Sequence, residues 1–180
     1  GTFSFTSTSL GAFDITTSSL TGNKVFTGLA PGVFDVAETD PSPAYDLTTF
    51  TCSDGSSIGT INLSAGENIT CTATNTERGS ITIVKDVVGV NDGTFSFTST
   101  SLGAFDITTS SLTGNKVFSD LAPGVFDVAE TDPSPAYDLT TFTCSDSSSI
   151  GTINLSAGEN ITCTATNTER VSITIVQDVV

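Results

Sequence analysis

Residues 80–88, SITIVKDVV, return almost unchanged as residues 172–180, SITIVQDVV. In each copy alternate positions share one phase: Ile81, Ile83, Lys85 and Val87, then Ile173, Ile175, Gln177 and Val179. A strand would turn all four to one side, and three of the four are apolar, so that side is the expected inward face. The first copy therefore carries a lysine toward a core. Similar alternation runs through TFSFTST (94–100), AFDITTS (104–110), KVFSDL (116–121), VFDVAETD (125–132), DLTTFTCSD (138–146), TINLS (152–156) and ITCTATNTE (161–169). Turns are expected at Thr113-Gly114-Asn115-Lys116, at Pro123-Gly124, at Pro133 and Pro135, and at Ala157-Gly158-Glu159-Asn160. No segment has a helical period. Seven or eight short strands in about ninety residues predict an all-β, immunoglobulin-like sandwich.

The chain is a tandem repeat with a period of 92 residues: residues 1–88 align with 93–180 without a gap. Five positions differ: Thr27/Ser119, Gly28/Asp120, Gly55/Ser147, Gly79/Val171 and Lys85/Gln177. Near-identical neighbours mark an array in which each unit repeats one mechanical role. The two copies are cut out of phase. Residues 80–170 form a complete repeat that opens on the Ser80–Val88 strand. Residues 1–79 form a repeat without that first strand, and residues 171–180 are the strand without its repeat.

Composition narrows the function. The 180 residues carry 20 Asp+Glu against 5 Lys+Arg, net charge −15, with no His, Met or Trp. Such a surface does not suit nucleic acid or an anionic membrane, and no apolar run approaches a membrane span. Roughly a third of the chain is Thr or Ser, far above ordinary usage. The first residue is Gly1, so a processed form or a segment of a longer protein is expected. Cys52, Cys71, Cys144 and Cys163 have no zinc-ligand spacing, and two local disulfides, Cys52–Cys71 and Cys144–Cys163, are expected, which implies an oxidising, extracellular setting. Asn62, Asn68, Asn154 and Asn160 head Asn-x-Ser/Thr triplets and are candidate glycosylation sites. No cofactor or metal is implied, and no nucleophile elbow or phosphate loop points to an enzyme acting on an outside substrate.

Three polar groups end apolar faces. Lys85 does so on the first strand, Glu130 beyond Phe126 and Val128, and Asn167 beyond Ile161, Cys163 and Ala165. Burying an isolated Lys or Glu costs several kcal/mol unless it is neutralised or paired, so their convergence calls for a chemical reason. ITIVKD on the first strand, VFDVAETDPSPAYDL in the middle and TATNT on the last strand resemble the prealbumin-like, Cna protein B-type domains of bacterial surface proteins and pilins. The resemblance implies two tandem prealbumin-like sandwiches. It also implies that Lys85 attacks the side-chain amide of Asn167, with Glu130 shuttling a proton, to form an intramolecular isopeptide bond. The alternative is that Lys85 simply pairs with Glu130 at the sandwich edge. This chain departs from the family's Glu-to-Tyr box: Glu130 and Tyr137 keep their spacing, but the glycine is Ala136, and cysteines are added. Glu38 and Asn75 repeat the pattern in the first copy, where the unassigned strand supplies only Gln177, which is no nucleophile.

The expected function is a structural subunit of an extracellular or cell-surface filament or pilus-like fibre. Copies would join head to tail by donor-strand complementation, with Ile173, Ile175 and Val179 of one subunit filling the next. The same residues fit a segment of a long single-chain adhesin stalk. From another class, rows such as Thr70-Cys71-Thr72-Ala73-Thr74 could present hydroxyls to glycans or another surface.

Overall fold

The computed structural model describes residues 1–178 and divides the chain into two units, Gly1–Glu77 and Arg78 onward. Among the described residues all regular structure is strand, and no helix is long and apolar enough to cross a membrane.

Unit 1 contains β1 (Thr2–Thr6), β2 (Phe13–Thr16), β3 (Gly32–Phe34), β4 (Ala37–Glu38), β5 (Tyr45–Cys52), β6 (Ile61–Leu63) and β7 (Cys71–Glu77). They pair as β2-β1-β4, β3-β6 and β5-β7. Unit 2 contains β8 (Gly79–Val88), β9 (Thr94–Thr98), β10 (Phe105–Thr108), β11 (Thr113–Leu121), β12 (Gly124–Phe126), β13 (Ala129–Glu130), β14 (Tyr137–Cys144), β15 (Ile153–Leu155) and β16 (Asn160–Glu169). Its principal sheet has the order β11-β8-β16-β14, accompanied by β10-β9-β13 and the pair β12-β15.

In unit 2 the first strand is central. β8 pairs antiparallel with β11 on one side and parallel with β16 on the other. Its strict alternation of buried and half-buried residues turns Ile81, Ile83 and Val87 into a core shared with Phe95, Phe97, Ile107, Val128, Ile153, Leu155 and Ile161. Fully burying side chains of this size contributes about 1.5–3 kcal/mol each.

Unit 1 has nearly the same sequence without a strand in the β8 position among the described residues. Residues 21–29, which correspond to β11, form no strand beyond an isolated bridge at Thr21. Ile15, Val36, Leu63, Ile69 and Ala73 are only half-buried, whereas their counterparts Ile107, Val128, Leu155, Ile161 and Ala165 are buried. Phe5, Cys52 and Ile61 remain as its buried apolar residues.

Two sequence expectations need correction. The hairpin turn expected at residues 113–116 lies earlier: Ser111 and Leu112 take positive φ values of 56° and 70°, and Thr113–Lys116 belong to β11. The 125–132 strand is two short strands. β12 pairs with β15 and β13 with β9, so the chain changes sheets at Asp127 and Val128. Asp127 holds that crossing by accepting from the backbone N–H and hydroxyl of Thr100.

Candidate functional site

The site sits between strands of unit 2. In the parallel β8–β16 register Ala165 lies opposite Lys85 and Asn167 opposite Val87. Asn167 is therefore two residues along the adjacent strand from the lysine, on the same inward phase. Glu130 comes from the other sheet, opposite Phe97 across the β13–β9 pairing. Alternation on β8 and β16, together with the sheet change at Asp127, brings the three groups into one interior.

Both Lys85 and Asn167 are fully buried. The Lys85 ammonium lies 3.5 Å from Glu130 Oε2, and neither side chain is exposed. Lys85 Nζ donates to the carbonyl of Ala165 at 3.0 Å and lies 4.6 Å from the centroid of the Phe95 ring. Asn167 Nδ2 donates to Glu130 Oε1 at 2.5 Å. Glu130 Oε2 and Asn167 Oδ1 are buried without a hydrogen-bond partner, so the lysine contact at Oε2 is an ion contact too long to serve as a good hydrogen bond. Leaving two buried acceptors unsatisfied costs free energy that ordinary packing avoids.

Burial lowers the Lys85 pKa below its ordinary value, against the opposing pull of Glu130 and Asp86. Burial likewise raises Glu130, opposed by the charge of Lys85 and the hydrogen bond from Asn167. The low-dielectric pocket thus disfavours the charged form of both groups. An amine, a carboxyl and a carboxamide share one buried interior.

Unit 1 holds the partial copy. Asn75 Nδ2 donates to Glu38 Oε1 at 2.7 Å, and Glu38 Oε2 and Asn75 Oδ1 are buried without a partner. Gln177 lies in the irregular stretch after β16, where Ile173 and Ile175 are each 90% exposed. Val179, the last named residue of that expected strand, lies outside the described residues. The cysteines form two cross-strand disulfides, Cys52–Cys71 between β5 and β7 and Cys144–Cys163 between β14 and β16. Asn62, Asn68, Asn154 and Asn160 are exposed. Sequence reasoning did not connect Phe95 with the lysine, although the alternation of TFSFT already turned Phe95 and Phe97 inward.

Residues 81–169 match one SpaA family model and residues 2–73 a second, each described as a prealbumin-like fold domain. The chain belongs to the SpaA prealbumin-like domains. Among solved structures, it is similar to the major pilin protein T-13 of Streptococcus pyogenes, at 10% identity over 94% of this chain and 89% of that one, TM-score 0.38. A C-terminal fragment of the pilus adhesin SpaC from Lactobacillus rhamnosus GG matches at 17% identity over 97% of this chain and 90% of that one, TM-score 0.38. A search of curated protein sequences finds no match. Each of the two SpaA domains of this chain has a cross-strand disulfide, and among the described residues a first strand stands only in the second.

Proposed function

We propose that this protein is a structural subunit of an extracellular, pilus-like fibre in which each prealbumin-like domain is completed by a first strand, and that unit 1 takes this strand from a neighbouring repeat. One observation carries the reading. Nearly identical sequences form a closed core in unit 2, where β8 is present, and an open one in unit 1. Strand addition supplies main-chain hydrogen bonds and returns apolar side chains to their sites. Ile173, Ile175 and Val179 of a second subunit would supply the side chains that Ile81, Ile83 and Val87 supply in unit 2. A head-to-tail contact that does not close on itself gives an open fibre. The exposure of Ile173 and Ile175 supports their availability to a neighbour. In a longer array the same strand would come from a preceding repeat. Deleting residues 172–180 is expected to abolish head-to-tail association in sedimentation and electron microscopy. Fibres that persist after the deletion would sink the tail as donor.

The buried triad serves this role as a covalent clamp. In our reading the neutral Lys85 amine attacks Cγ of Asn167. Glu130 accepts the amine proton and passes a proton to the departing Nδ2, to which it is already hydrogen-bonded. A Lys–Asn amide forms and one ammonia leaves. The bond would tie β8 to β16, so tension applied at the ends of the domain would bypass its core. This chemistry is self-directed, and no external substrate is proposed. The expected intact mass is one ammonia below the sequence mass with disulfides counted, and Lys85→Gln restores that ammonia. An unmodified mass for the folded wild-type chain would refute the clamp.

A further inference from the structure

The substitutions between the repeats gather at one place. Gly79, which opens β8, pairs with Leu121 across the irregularity in β11 that contains Ser119 and Asp120. Their counterparts in the other copy are Val171, Thr27 and Gly28. Three of the five differences therefore meet where the first strand begins.

The structure gives a reason for glycine there. Gly79 is buried. A Cβ on it would fall inside van der Waals contact of the Glu159 carbonyl oxygen and lie 3.1 Å from Leu155 Cδ1. The main obstacle is backbone, which cannot swing aside as a side-chain end can. It is also held in place. Ser80 N–H donates to that carbonyl at 2.9 Å, Glu159 N–H donates to Ser156 O at 3.2 Å, and Ser156 N–H donates to Glu159 Oε2 at 2.8 Å. Unit 1 builds the same wall, with Glu67 N–H donating to Ser64 O at 3.2 Å and Ser64 N–H to Glu67 Oε2 at 2.8 Å. Leu63 stands there in place of Leu155.

A tail seated in unit 1 in the register of β8 would drive the branched side chain of Val171 into the Glu67 carbonyl. The hydrogen bond from Ser172 N–H to that carbonyl, the counterpart of the Ser80 bond, could then form only with strain. We infer that the strand site of unit 1 is selective. It takes a strand of the Gly79–Val88 sequence in full register and takes the chain's own Val171 tail only with its first residues peeled back. Val171 is thus a specificity-determining residue that keeps the tail joint weak and exchangeable, so that a glycine-led strand displaces it. This inference rests on the reading that unit 1 accepts a strand at all.

The test separates the two. Fluorescent ten-residue peptides of the Val171–Val180 sequence, with and without Val171→Gly, are titrated into the full chain at a concentration where it is monomeric. Amide exchange at residues 71–77 reports the binding site. The glycine peptide is expected to bind at least about tenfold tighter, the worth of one strained or lost hydrogen bond. Equal or weaker binding by the glycine peptide overturns the selectivity. Failure of both peptides to bind or to protect 71–77 overturns the strand reading and the inference with it.

Discussion

Lys85 shows what the interior asks of a single residue. Its aliphatic stem replaces the side chain that would continue the Ile81–Ile83–Val87 face, and its amine meets a carboxyl, a carbonyl and an aromatic ring. Desolvation lowers Lys85 and raises Glu130, so the fold disfavours the charged form of each. The two shifts act on stability in different pH ranges. Glu130 is raised above 4.5, so the folded unit holds that proton more tightly than the unfolded chain does. Its contribution is complete below pH 4.5 and is lost as pH climbs through the raised folded value. Lys85, while its amine is free, is lowered from 10.5, so its contribution is lost as pH falls below 10.5 toward the depressed value. Unfolding followed against pH in the Lys85→Gln background, which forms no clamp, should therefore show a stability, relative to Lys85→Gln/Glu130→Gln, that declines from pH 4.5 upward. The slope should not exceed about 1.4 kcal/mol per pH unit for one proton. A difference that is flat, or that rises across this range, would contradict the raised Glu130.

Among elements, β8 decides the order of its neighbours. Residues 113–121 form a nine-residue strand beside it, and residues 21–29, which differ at only two positions, form no such strand. The last strand responds too, since β16 spans ten residues and β7 seven. Both segments need hydrogen-bond partners that β8 supplies in unit 2. An edge without its partner leaves N–H and C=O groups to water and remains a template for another strand. Hydrogen exchange in the monomeric chain should thus be markedly faster at residues 21–29 and 71–77 than at 113–121 and 163–169. Equal protection would mean that unit 1 closes without a first strand. The disulfides do not abolish the contrast. Each closes a loop between residues 19 apart in sequence, stabilising by about 3 kcal/mol in the chain-entropy model. Each, however, ties the last strand to the neighbour on its other edge, β7 to β5 and β16 to β14, and supplies no partner on the edge that β8 occupies in unit 2.

Over the whole molecule, much was legible in the chain because its cues are local. Period-two alternation marked the strands and turned Ile81, Ile83, Phe95, Phe97 and Ile161 inward. The 92-residue repeat located the out-of-phase cut, and cysteine spacing paired residues that prove to be direct cross-strand neighbours. Lys85, Glu130 and Asn167 stood out because each placed a polar group on an apolar face. The rest depended on partners distant in sequence. Nothing local shows that VFDVAE leaves one sheet for another at Asp127, since that break is set by the pairing of β12 with β15 and of β13 with β9. Nor does it show that Ser111 and Leu112, without a glycine between them, make the turn before β11. The meaning of the Gly79/Val171 difference was equally hidden, because the carbonyl that forbids a side chain belongs to Glu159, 80 residues away. The sequence by itself determined the strands, their inward faces and the candidate chemistry, which follow from side-chain alternation along one segment. Tertiary structure alone decided that the chain changes sheets at Asp127 and that the Glu159 carbonyl stands against Gly79, because a sheet takes its hydrogen bonds and its apolar cover from whichever strand lies beside it.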